Sequence, residues 1–334
     1  MDSMNDQRRR STNWLAIILL ATSPSASGAD NNAAFDVIST DYQPYLDHME
    51  SYRCEIVISG TGDGKPFEPL RSAVEQHGGS ALYYSYEGAT KPLMVNGRNS
   101  NYFFVLARDQ PDAPWQIANL FTKDAEQATT KPHRVVRLTS QNVLPKWAGM
   151  LAYQRNLFLA LSEGQAEIVS ADRPDANEAG DEEIMSVLIR RREGADPDWR
   201  FSKGTFQLNK RYHWQIVSAE LEVEVDKDAS QMKCLIDNSY EYQNELDAWT
   251  ISKNSCEYML SSANGETQST IEIREYSFEP LEPDENHFRL TYFGLSEPIG
   301  MKQSGGSSLL WWATALAIVA VLAIGVFARR RLKG

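Results

Sequence analysis

The sequence predicts an α+β protein, a long antiparallel β-meander with a few helices, followed by one C-terminal transmembrane helix. Three observations predict it. Strand-length runs with polar turns between them fill residues 205–278. Two earlier stretches place apolar residues at helical spacing. Residues 309–328 are apolar and free of charge.

Composition sets the outer bounds. The chain has 334 residues, of which 42% are hydrophobic and 10% aromatic, enough for a sizeable core. Disorder is therefore excluded as the main state. Thirty-three Lys and Arg stand against 45 Asp and Glu, for a net charge of -12. Generic nucleic-acid binding is disfavoured, because it needs a basic surface that displaces counterions from phosphates.

At the N-terminus, Arg8-Arg9-Arg10 precedes an apolar run from Trp14 to Ala21 and then small residues. A basic region, a short apolar core and small residues make a secretory signal, residues 1–29, with the cut after Ala29. Phe35, Ile38, Tyr42, Tyr45, Leu46 and Met49 follow at helical spacing, with Pro44 as a cap or kink that could delay the helix start to Asp41. Strands are expected at 53–58, 82–86, 102–106 and 115–120, with Asn96-Gly97 as a turn. A second helix is expected from Asn142, with Pro145 in its first turn and Leu144, Trp147, Leu151, Phe158 and Leu161 as its apolar stripe. A strand at 166–169, an acidic loop at 172–183 and a strand at 184–190 come next. Four meander strands follow at 216–225, 232–241, 248–260 and 268–278, with Asn264-Gly265 as a hairpin turn. No internal repeat or second linker breaks this stretch, so residues 30–300 read as one extracytoplasmic domain.

Residues 301–308 form a linker, 309–328 the span and 329–334 a basic tail. The span is long enough for the hydrocarbon core, Trp311 and Trp312 suit an interface, and Arg329, Arg330, Arg331 and Lys333 place the C-terminus in the cytoplasm. The location expected is the bacterial inner (cytoplasmic) membrane, single-pass, with the domain in the periplasm. Without the net +1 of residues 1–29 and the +4 of the tail, residues 30–328 carry net -17. Such a domain is repelled by anionic head groups.

Three cysteines are present, Cys54, Cys234 and Cys256. A hairpin centred on Glu245 would set Cys234 and Cys256 directly opposite, which predicts a cross-strand disulfide and leaves Cys54 buried. The search for chemistry returns little. The histidines His48, His77, His133, His213 and His287 show no metal-ligand spacing, and no CxxC exists, so no metal and no cofactor are expected. His77-Gly78-Gly79-Ser80 lacks a nucleophile elbow and reads as a turn. Gly60 to Gly64 lacks the Lys of a phosphate loop. Arg190-Arg191-Arg192 reads as a solvated strand end, open to an acidic partner.

The order of elements, together with the stretches 95–108, 114–117, 203–214, 249–280 and 288–298, resembles the bacterial outer-membrane lipoprotein carrier and receptor superfamily (LolA/LolB-like, RseB-like), and within it uncharacterised membrane-anchored relatives. The resemblance implies an incomplete antiparallel β-barrel, a curved sheet wrapped over helices around an apolar cavity for acyl chains. Tyr84, Tyr102, Phe104, Trp147 and Phe158 are the candidates to line it. The family offers no catalytic motif, so the chain is expected not to be an enzyme. It departs from the soluble carrier in its C-terminal span. Three readings stay open: a membrane-anchored module that binds lipid or lipoprotein, an interaction or sensor module with an envelope protein as partner, and, ranked last, an enzyme.

Overall fold

The computed structural model describes residues 28–298 except 87, 89, 123–143, 154, 173–182, 196–199, 225–230, 262–266 and 285. Its opening helix, α1 (Gly28–His48), buries Ala34, Ile38, Tyr42, Tyr45 and Leu46 on one face. Helical periodicity brings these residues to a single stripe. The helix runs through Pro44 rather than starting at Asp41. Its C-terminal carbonyls gain a cation, because Lys146 Nζ donates to the Leu46 carbonyl at 3.0 Å. The predicted cut after Ala29 falls in its first turn, and residues 1–27 lie outside the described residues.

Sixteen strands follow among the described residues: β1 (Ser51–Gly62), β2 (Lys65–Pro66), β3 (Leu70–His77), β4 (Ser80–Ser85), β5 (Met94–Arg98), β6 (Tyr102–Ala107), β7 (Gln116–Thr122), β8 (Leu151–Ala152), β9 (Arg155–Asn156), β10 (Ala166–Asp172), β11 (Ile184–Arg191), β12 (Phe201–Asn209), β13 (Gln215–Glu224), β14 (Gln231–Gln243), β15 (Ala248–Ser261) and β16 (Thr267–Pro280). Fourteen of them form one antiparallel sheet in the order β10-β11-β12-β13-β14-β15-β16-β1-β3-β4-β5-β6-β7, with β2 beside β1. The small strands β8 and β9 pair with each other.

This corrects the expected fold class. Of the described residues 58% are strand and 16% helix, so the fold is mostly antiparallel β rather than α+β. The sheet does not close, since β10 and β7 remain its two ends. No described helix is long and apolar enough to cross a membrane. The predicted transmembrane residues 309–328 lie outside the described residues.

The second expected helix is also corrected. A 3-10 turn over Pro145–Met150 gives way to β8 and β9, and only then to a short helix, α2 (Leu157–Ser162). Pro145 does take the first turn, and Asn156 caps α2 by accepting from the Leu159 N–H at 2.9 Å. The tight turn at Tyr153 (φ 42°) separates the two apolar pieces that looked like one stripe.

The sheet buries opposite faces at its two ends. In β1, Tyr52 and Cys54 point to the side that holds α1, while Arg53 and Glu55 point to the other. The larger core lies between α1, the 145–162 segment and β10 to β16 with β1. In β13, Ala219, Leu221 and Val223 are buried, and Glu220, Glu222 and Glu224 between them are exposed. Tyr42 of α1 meets Trp147 and Phe158 edge-on, with ring centroids 5.8 and 5.1 Å apart. At the other end, the opposite face of β3 to β6 buries Ala73, Leu82, Tyr84, Val95, Tyr102, Phe104 and Leu106. That second core is covered by the C-terminal strap, residues 281–298, through Phe288 and Leu290.

The cysteines depart from the predicted pairing. The β14–β15 turn joins Gln243 to Ala248, and the register shifts again between Ser239 and Tyr240. Cys234 therefore faces Tyr258, and Cys256 faces Ile236. Cys54, Cys234 and Cys256 are all buried free thiols. The turn register and the β-bulge each shift the pairing by one residue, and together they move the pair from opposed to diagonal.

Candidate functional site: an aromatic cleft under the C-terminal strap

A cleft of about 460 Å³ opens where the strap crosses the second core. Arg53, Glu75, Tyr84, Tyr86, Pro92, Arg108, Trp115, Tyr292 and Phe293 line it. Strand alternation explains the floor. Arg53 of β1, Glu75 of β3 and Tyr84 of β4 project from the face opposite α1, because their neighbours Cys54, Val74 and Tyr83 pack toward it.

Glu75 sits at the centre of the floor with 5% of its side chain exposed. Its Oε1 accepts from Arg53 Nη1 at 2.7 Å. Its Oε2 accepts from the Tyr84 hydroxyl at 2.6 Å and stands 2.9 Å from His287 Nε2 of the strap. Burial and the Glu75 charge push the Tyr84 hydroxyl far up, so it remains a donor. Burial, and then Glu75, raise Tyr292 as well. Arg53 also meets Glu55 at 3.3 Å and Glu279 at 3.1 Å.

The walls are aromatic. Arg108 lies over the Trp115 ring, 4.2 Å from its centroid, and its Nε donates to the Pro92 carbonyl at 2.8 Å. Phe293 meets Trp115 edge-on at 5.8 Å and Phe104 at 6.0 Å. Tyr292 packs on His287 at 4.5 Å. Three strap contacts hold this wall in place. Asn99 Nδ2 donates to the Phe288 carbonyl at 2.9 Å, the Leu290 N–H donates to the Tyr102 hydroxyl at 3.2 Å, and that hydroxyl donates to Glu297 Oε2 at 2.6 Å.

The structure divides the five predicted cavity residues. Tyr84 lines the cleft. Tyr102 and Phe104 lie in the core beneath it, and Phe104 touches its Phe293 wall. Trp147 and Phe158 belong to the other core, packed on α1, on the opposite face of the sheet. Sequence reasoning missed Glu75, Arg108 and the strap's aromatic wall. The strand that carries Glu75 reads Leu70-Arg71-Ser72-Ala73-Val74-Glu75-Gln76-His77, too polar to signal a buried position.

Other sequence features resolve simply. His77-Gly78-Gly79-Ser80 is the two-residue turn between β3 and β4, with Gly78 at φ 52°. Arg190, Arg191 and Arg192 border a second groove, but Glu167 and Glu224 neutralise them at 2.6 to 3.4 Å. Among the described residues, no three His, Cys, Asp or Glu side chains are grouped to hold a metal ion.

No family model and no curated protein matches the sequence. Among solved structures, the chain is similar to a DUF1329 family protein from Desulfovibrio piger ATCC 29098. The two share 9% identity and a TM-score of 0.41, over 79% of this chain and 99% of that one. A conserved protein of unknown function with a hot dog fold, from Alicyclobacillus acidocaldarius, overlaps 75% of this chain and 87% of its own at 7% identity and TM-score 0.14. Neither likeness bears on activity.

Proposed function

We propose that this chain is a non-enzymatic binding module of the bacterial envelope, held at the membrane by its apolar segment 309–328, and that its guest is a membrane lipid. One observation carries the reading. The cleft combines an open aromatic wall with a floor whose buried carboxylate is already engaged by three partners. A catalytic carboxylate needs a free lone pair or proton to exchange with substrate. Glu75 instead spends its oxygens on Arg53, Tyr84 and His287, which suits a rigid receptor. The aromatic wall offers flat apolar area for the glycerol end of an amphiphile.

The reading agrees with the resemblance to the lipoprotein carrier superfamily, but it moves the guest. The face that carries Trp147 and Phe158 is filled by α1, so the guest is assigned to the strap cleft. Native mass spectrometry of the full chain tests this. A retained lipid mass is expected, and a Trp115→Ala, Phe293→Ala variant should lose it. A wild-type chain that carries no lipid and binds no fatty-acid probe would sink the reading.

A further inference from the structure

We propose that the Arg108 guanidinium binds the phosphate of a zwitterionic phospholipid head group, an inference that rests on the cleft being a lipid site. Arg108 is the cation of the lining with charge left to give. Arg53 is shared among Glu75, Glu55 and Glu279. Nearby, Arg71 is paired with Glu55 at 2.7 Å, and Lys91 with Asp112 at 2.6 Å. Arg108 meets no carboxylate within ion-pair distance among the described residues. Its Nε is fixed on the Pro92 carbonyl and its plane on Trp115. Both Nη nitrogens are left as a held fork, the geometry that matches two phosphate oxygens.

Charge selects the kind of head group. The stretch 30–328 carries net -17, so an anionic lipid surface is repelled over its whole approach. A zwitterionic head group is neutral overall and escapes that repulsion, while its phosphate still meets Arg108. Its ammonium is assigned to the rings of Tyr292, 48% exposed, and Phe293, which also line the cleft. The volume of about 460 Å³ holds such a group. The strap also keeps the cleft close to its source. Pro298 is eleven residues before Leu309, at most roughly 40 Å of extended chain.

The test uses the full chain in uncharged detergent micelles. Glycerophosphoethanolamine and inorganic phosphate are titrated calorimetrically in separate arms. The wild type should bind glycerophosphoethanolamine saturably, and Arg108→Gln should bind it at least about tenfold more weakly, the scale of a lost charge-assisted pair. Arg108→Lys, which keeps the charge and loses the fork, should fall between. A thermal melt of each variant confirms folding. Inorganic phosphate bound as tightly as the ester, and equally weakened by Arg108→Gln, would overturn the lipid source in favour of free phosphate. Equal binding by wild type and Arg108→Gln would overturn the role of Arg108. In that case a lipid mass still retained by the full chain would leave the cleft reading standing, and its absence would remove both.

Discussion

Glu75 ties three elements together with one side chain. It holds Arg53 of β1, Tyr84 of β4 and His287 of the strap, and only 5% of it reaches solvent. Replacing it by Leu leaves the Tyr84 phenol and the His287 imidazole without their acceptor, while Arg53 keeps Glu55 and Glu279. Breaking such a buried network costs about 3–5 kcal/mol, so Glu75→Leu should lower the urea midpoint strongly. Glu75→Gln, which loses the charge but still accepts hydrogen bonds, should cost less, and equal losses would mean that the charge carries the whole effect and a neutral acceptor contributes nothing. His213 acts at a different place and through pH. It stacks on Tyr45 of α1 with centroids 5.2 Å apart, and burial lowers its pKa, with Asp41 opposing and His48 assisting. The unfolded chain therefore binds a proton, near pH 6.5, before the folded one does. Stability from this group is complete above that pH and falls as pH drops toward the folded value. His213 has φ 57°, a conformation Asn tolerates. His213→Asn should fold and should flatten the dependence of the urea midpoint on pH just below about 6.5. An unchanged slope would place the dependence elsewhere.

At the scale of elements, Gly97 shows what a sequence pattern conceals. Asn96-Gly97 looks like a turn, yet both residues lie inside β5. The reason is its cross-strand partner. Gly97 pairs with Phe104, and a Cβ at Gly97 would stand 2.1 Å from the Phe104 ring. The glycine provides the floor for an aromatic ring rather than a bend. Gly97→Ala should drive that ring from its seat beside Phe293 and cost about 1–3 kcal/mol. Thermal unfolding measures this, and a neutral outcome would show that the ring has another seat. The same distinction explains what was legible. The strands β13 to β16 were readable almost to their ends, because one face is core and the other solvent. Ser261 pairs with Thr267 across the predicted Asn264-Gly265 turn, although the turn itself lies outside the described residues. The Cys234–Cys256 opposition failed through the turn register and a bulge, neither of which leaves a hydrophobic signature. β3 was missed because its polar residues Ser72, Glu75 and Gln76 are buried, Glu75 by partners from elsewhere in the chain. The site was illegible for that reason: Arg53, Glu75 and His287 become neighbours only through the sheet order β1-β3 and a strap that returns more than two hundred residues later.

The described residues form a sheet with two main cores on opposite faces, beside a small cluster at Phe103 and Val105, and each main core needs its own cover. α1 and the 145–162 segment cover the larger one, and the strap covers the smaller. The strap is therefore part of the folded domain rather than a linker to the apolar segment, although it contains no strand and one short 3-10 turn, Leu290–Phe293. Ending the chain after Pro280 would remove Phe288 and Leu290, which bury against Leu82, Tyr84, Val95, Phe104 and Leu106. It would also strip His287 from Glu75 and the Phe288 carbonyl from Asn99. At about 1.5–3 kcal/mol for each fully buried large side chain, losing the pair is comparable to a large part of a domain's stability. A chain ended after Gly300 keeps these contacts and should show native hydrogen-exchange protection throughout the sheet. A chain ended after Pro280 should lose protection in β3 to β6 first, while β11 to β15, covered from the other side, exchange more slowly. The two cores then behave as separable units of stability. Uniform protection in both truncated chains would mean that the strap merely rests on the sheet, and the cleft it walls would lose its claim to be a formed site.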